Sequence, residues 1–145
     1  MPVWGGWFGA RRREAATTGT LVTWRLAPGQ RRLDERERDV VFRLVLAGNG
    51  SRCEVAALVV MDDHVRVLLR ASPSTSSRLS RSWMAGTSHQ LQRIHRRSAE
   101  IWAADADVTA VGSEDAFREL ADRVLADPWK RWPFLQGYPW VYHGI

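Results

Sequence analysis

Val59-Val60-Met61-Asp62-Asp63-His64-Val65-Arg66-Val67-Leu68-Leu69 sets two apolar runs on either side of a short acidic corner. As strand, turn and strand it obeys the two-residue alternation of extended chain. His64, Arg66, Leu68 and Arg70 then share one sheet face, and Val65, Val67 and Leu69 share the other. A face bearing one imidazole and two guanidiniums suits an anion. The run Glu54 to Met61 is almost continuously apolar, as a strand buried on both faces must be.

Working outward, Leu21 to Leu26 alternates and is rich in β-formers, which predicts a first strand, broken by Ala27-Pro28-Gly29-Gln30. Asp34 is a good N-cap for a helix whose stripe is Val40, Val41, Leu44 and Val45, with Glu35, Arg36, Glu37 and Arg38 expected in solvent. Gly48-Asn49-Gly50 stops it. After the hairpin, a serine-rich loop leads to a second helix over about Ser76 to Ser98, which Gly86 could interrupt. Leu79, Trp83, Leu91 and Ile94 are expected inward; Arg78, Arg81, Arg93, Arg96 and Arg97 are expected outward. Ile101 to Val111 suits an edge strand or extended loop. Ser113 caps a third helix carrying Ala116, Phe117, Leu120, Ala121, Val124 and Leu125, and Asp127-Pro128 is expected to end it. The order of elements predicts an α+β fold: a ferredoxin-like two-layer sandwich, antiparallel sheet with helices on one face, plus a C-terminal helix.

The chain has 145 residues, enough for one domain with a real core, and a net charge of +5 that attracts polyanions. Arginine carries nearly all of that charge, Lys130 being the single lysine. Residues 1–19, with glycines, Trp4, Trp7 and the run Arg11-Arg12-Arg13, read as a flexible basic arm ahead of a domain over 20–145. Such an arm is either an unstructured leader or a segment that lies on nucleic acid. One cysteine, Cys53, excludes an intrachain disulfide and a multi-cysteine zinc site. No apolar run approaches the roughly 18–20 residues that span a bilayer. No signal-peptide pattern opens the chain, and a reducing cytoplasm is the expected location.

Five collinear segments resemble the single-tyrosine HUH transposases, specifically the REP-associated tyrosine transposases and related insertion-sequence enzymes. Thr20-Leu21-Val22-Thr23-Trp24-Arg25 is similar to that family's opening strand, and Met61-Asp62-Asp63-His64-Val65-Arg66-Val67-Leu68 to its histidine hairpin. Ala99 to Ala103 matches the segment after the basic helix, Arg123 to Pro128 the end of the catalytic helix, and Tyr138-Pro139-Trp140-Val141-Tyr142 the closing motif. The resemblance implies binding of stem-loop DNA as a homodimer and nicking by a helix tyrosine, with two histidines and a helix amide holding Mg²⁺ or Mn²⁺.

At the positions that carry this chemistry the sequence departs. The first histidine is His64, but the second is Arg66, which has no lone pair for a metal. The nucleophile position is Arg123 and the amide position Asp127, leaving His64 and Asp127 as remnant ligands. No catalytic set is intact, and no cofactor is expected. Tyr142, less constrained than Tyr138, is the substitute nucleophile that an active enzyme would need. A cluster of His64, Arg66, Arg123 and Asp127 is expected to replace the metal centre, with Arg123 and Asp127 paired across one helical turn. The expected function is binding of single-stranded or hairpin DNA without nicking, through Arg66, Arg70, Arg78, Arg81, Arg93, Arg96, Arg97, Lys130 and Arg131, in the nucleoid. The alternatives are an active metal-dependent transposase using a displaced tyrosine, and a structural relic or protein-interaction module.

Overall fold

A computed structural model describes residues 18–98 and 100–144. The basic arm expected over 1–19 therefore lies outside the described residues, except for its last two. Those two belong to the domain: Thr18 donates its amide to Val111, and Gly19 opens the first strand. A side chain at Gly19 would meet the Leu69 carbonyl oxygen and the Phe117 ring, each 2.4 Å from a Cβ placed there, so close approach demands glycine.

The elements run β1 (Gly19–Arg25), α1 (Glu35–Leu46), β2 (Val55–Val60), β3 (His64–Leu69), α2 (Pro73–His95), β4 (Asp107–Val111), α3 (Glu114–Arg131) and β5 (Val141–His143). The sheet has the order β4-β1-β3-β2-β5, antiparallel at each pairing. The expected ferredoxin-like arrangement is present, with β3 at its centre and β4 as an edge strand. β5, which the sequence reading left unassigned, adds a short strand beside β2.

The two sheet faces bury different cores. Val22, Trp24, Leu58, Val65, Val67 and Leu69 face α1 and α2, meeting Val41, Val45, Leu79, Trp83 and Leu91. Trp24 stacks on Trp83 (centroids 6.1 Å apart) and meets Trp102 edge-on (6.2 Å). The opposite residues of β2 and β3, Ala57, Val59 and Leu68, with Met61 just after β2, meet Phe117, Ala121 and Val124 of α3. Burying each of the valine, leucine, methionine and phenylalanine side chains among these contributes about 1.5–3 kcal/mol. The C-terminal helix thus covers the face that α1 and α2 leave open.

Three sequence expectations need correction. Gly86 does not interrupt α2; a Cβ there would lie 3.2 Å from Leu44, so its small size lets α1 and α2 approach. Ile94 is 62% exposed, one residue before α2 ends at His95. Glu37, placed in solvent by its charged neighbours, is fully buried. It closes a capping box with Asp34 and receives the Arg97 guanidinium.

Candidate functional site

The hairpin corner is held from both sides by backbone. Leu26 donates to the Asp63 carbonyl (2.9 Å), Leu33 to the Asp62 carbonyl (2.7 Å), and Met61 to the His64 carbonyl (2.8 Å). These bonds fix where the two carboxylates and the imidazole leave the chain. β1 lies directly alongside, with Arg25 opposite His64 and Thr23 opposite Arg66. Directly opposed residues project to the same face, so all four look toward the last turns of α3.

Helix α3 does not stop at Asp127-Pro128 but continues to Arg131 with Pro128 buried inside it. Proline in a helix interior costs about 3 kcal/mol, through its missing N–H and its clash with the preceding turn. Tertiary anchors on both sides of Pro128 offset this. Asp127 takes Arg66 Nη1 on both oxygens at 3.0 Å, and Arg131 reaches Asp62 Oδ1 at 2.5 Å and Asp63 Oδ2 at 2.7 Å. Asp127 and Arg131 are four apart, hence on one helix face.

The result is a cleft of about 520 Å³ lined by Thr23, Arg25, Met61, His64, Arg66, Asp127, Lys130 and Arg131. His64 Nδ1 is 2.7 Å from Asp63 Oδ1, and its Nε2 is 3.5 Å from Asp127 Oδ2. Burial alone would depress the imidazole pKa, but the bonds to Asp127 and Asp63 and their negative charge outweigh it, and the net shift is upward. Burial likewise pushes Asp127 and Asp63 up. Asp127 is drawn below the ordinary carboxylate value by His64 and Arg66, and Asp63 by His64 and Arg131.

Of the expected cluster, His64, Arg66 and Asp127 converge and Arg123 does not. Arg123 is exposed, and among the described residues no ion pair joins it to Asp127, whose oxygens are already taken by Arg66 and His64. Tyr142 is also misplaced for a nucleophile. Val141 pairs with Val59, which pairs with Arg66, so Tyr142 points to the other face beside Leu58, where its hydroxyl accepts from Asn49 Nδ2 at 3.1 Å. Tyr138 is buried and donates to the Val60 carbonyl at 2.7 Å; burial, ahead of the opposing effect of Arg38, raises its pKa.

The nine cations expected to meet DNA are divided. Arg66, Lys130 and Arg131 line the cleft. Arg70 stands at the opposite end of α3, its guanidinium 3.7 Å from the Phe117 ring centre and paired with Glu114 at 2.6 and 3.1 Å. Arg78, Arg81, Arg93 and Arg96 are exposed on or just after α2, in the layer across the sheet. Arg97 is corrected outright. It is buried, with every guanidinium nitrogen bonded to Glu37, Gln30 or the Arg31 and Arg32 carbonyls, and serves the fold. Sequence reasoning missed Arg25, whose position facing His64 depends on strand register, and the roles of Asp62 and Asp63 beyond the turn.

A metal held by two imidazoles and an amide oxygen does not fit these residues. The Arg66 guanidinium carries positive charge against the carboxylate that would ligate the ion, and among the described residues no three His, Cys, Asp or Glu side chains converge on one point.

No family model matches the sequence, and no curated protein does. Among solved structures, the chain is similar to a REP-associated tyrosine transposase bound to a REP hairpin. The TM-score is 0.68 at 16% identity, over 86% of this chain and 76% of that one. The likeness is one of fold, and it establishes that this chain has a transposase-like architecture.

Proposed function

We propose that this protein binds single-stranded or hairpin DNA through the cleft between β1, β3 and the end of α3, and does not cut it. The observation that carries this reading is the set of cations lining that cleft: Arg25, Arg66, Lys130, Arg131 and a histidine of raised pKa. Arg25 is held by Asp107 and Arg131 by Asp62 and Asp63, while Lys130 and part of Arg66 keep donors to spare. Lys130 makes no ion pair among the described residues. Arg66 uses only Nη1 on Asp127, which leaves Nε and Nη2 without a partner among those residues. Phosphate oxygens can take these donors without breaking an existing bond. The fold's likeness to a transposase solved with a hairpin supports the choice of DNA as the polyanion.

The absence of cutting is part of the proposal. Cleavage by a phenol needs a tyrosine hydroxyl at the phosphate and a charge that stabilises the leaving oxygen. The chain's two tyrosines are committed elsewhere, Tyr138 to Val60 and Tyr142 to Asn49 across the sheet. Arg66 would supply the charge, but among the described residues no tyrosine hydroxyl stands beside it.

The test is an electrophoretic or anisotropy titration of a labelled imperfect hairpin across a salt series. Binding is expected at low salt, weakening steeply as salt rises because counterions are released on phosphate contact. No complex at low salt would end this reading and favour the relic.

A further inference from the structure

Helix α2 contains no acidic residue, and none occurs anywhere between Asp63 and Glu100. Its permanent charges are Arg78, Arg81 and Arg93, with Arg96 just past its end. The other two helices differ. In α1, Glu35, Glu37 and Asp39 balance Arg36, Arg38 and Arg43, and in α3 five acids stand against four cations. All three helices share the arginine-rich composition, but the loss of acids is confined to α2. All four of these arginines are exposed, and among the described residues none makes an ion pair. Arg78 meets the Thr75 hydroxyl at 3.5 Å, and Arg81 shares a small depression with Asp105 without pairing with it. Like charges one turn apart on a helix repel and oppose its formation. These side chains therefore do not serve the fold, and they suit a ligand of opposite charge.

Their spacing selects the shape of that ligand. The pairs Arg78–Arg81 and Arg93–Arg96 are centred fifteen residues apart, about 22 Å along a helix. Between them the exposed face includes Ser82 and Ala85, whose short side chains let a ligand come close. Long arginines leaning inward from both ends can reach the two phosphate rows that border a groove roughly 12 Å wide. A membrane surface would need an apolar face on α2, where Ile94 is the one large apolar side chain exposed.

The stripe is separate from the cleft. α2 covers the sheet face opposite to α3, so the two cationic surfaces lie on different sides of the molecule. The β4 edge beside both carries the exposed carboxylates Asp105 and Asp107, which repel a strand running from one to the other. We propose that the outer face of α2 is a second nucleic-acid surface, which takes a base-paired stem while the cleft holds a separate segment. The bridging of two segments rests on the DNA reading of the cleft; the duplex surface on α2 does not.

The full chain is compared with a variant carrying Arg78→Gln, Arg81→Gln, Arg93→Gln and Arg96→Gln, all exposed sites that leave the core intact. Both are titrated with a blunt duplex across a salt series. The wild-type log–log slope is expected to exceed the variant's by roughly 3 to 4, about one for each lost phosphate contact. In a second assay a hairpin is immobilised, protein is bound to it, and labelled blunt duplex is added. Wild type should retain the duplex, whereas the variant should stay on the hairpin and retain none. A variant that binds duplex as wild type does, or a wild type that binds none, overturns the α2 surface and leaves the cleft reading standing. Wild type that binds duplex in solution but retains none while on the hairpin overturns the bridging. A variant that loses the hairpin as well places the hairpin on α2 and overturns the cleft reading instead.

Discussion

Two arginine–carboxylate centres in this molecule use the same chemistry for different ends. In one, Glu37 and Arg97 are sealed away, their side chains 0% and 1% exposed. Every nitrogen of Arg97 is bonded, and Glu37 also holds its own helix cap and Arg31. In the other, Arg66 and Asp127 are 20% and 12% exposed and open into the cleft, with donors of Arg66 left over. A saturated, buried pair fixes the segments after β1 and α2 against α1. An unsaturated, half-open pair keeps donors that a ligand could take. The difference lies in how many donors the fold has already used.

Breaking the sealed centre should have the largest effect. Glu37→Ala strands a buried guanidinium and is expected to cost about 3–5 kcal/mol of stability, read as a lowered denaturation midpoint. DNA affinity of the fraction that remains folded should change little.

Breaking the open centre should separate stability from binding. Asp127→Asn removes the charge that holds Arg66 and His64, and should cost about 1–3 kcal/mol because the pair is only partly buried. The same substitution frees the guanidinium for phosphate, so affinity for the hairpin is expected to hold or rise. Paired chemical denaturation and anisotropy titrations would show the two quantities moving apart.

The pH dependence sharpens the comparison further. His64 titrates above its ordinary value of about 6.5, so its stabilising charge is complete below that value and is lost as pH rises through the raised one. Asp63 and Asp127 titrate below their ordinary value of about 4, and their contribution is lost as pH falls through the lowered ones. Hairpin binding should therefore weaken as pH is raised through the His64 titration, and His64→Gln should flatten that profile. The smallest effect is expected at Lys130, which has no ion pair among the described residues to lose. Lys130→Ala should leave stability within about 0.5 kcal/mol and reduce the salt dependence of binding by roughly one phosphate contact.

The fold was legible where one periodicity dominated a segment. The alternation from Val59 to Leu69 separated the His64–Arg66 face from the Val65–Val67 face, and the stripe from Ala116 to Leu125 identified α3. What stayed illegible depended on partners distant in sequence. Arg97 and Glu37 are 60 residues apart, and each alone looks like a solvated charge. Pro128 is a local stop signal overridden by Arg131 reaching Asp62 and Asp63, again across the chain. Alternation put His64 and Arg66 on one face, and the resemblance added Asp127 to them. Arg25 required the β1–β3 register, and the exclusion of Arg123 required knowing that Asp127 was already held.

The central claim, that an internal guanidinium rather than a metal supplies the positive charge of this site, is tested most directly by one titration in two buffers. A labelled hairpin is titrated once in Mn²⁺ and once in EDTA at matched ionic strength, and both samples are then run on a denaturing gel. The account predicts equal affinities and no covalent protein–DNA adduct in either. Binding that appears only with Mn²⁺, or an adduct that survives denaturation, would contradict it.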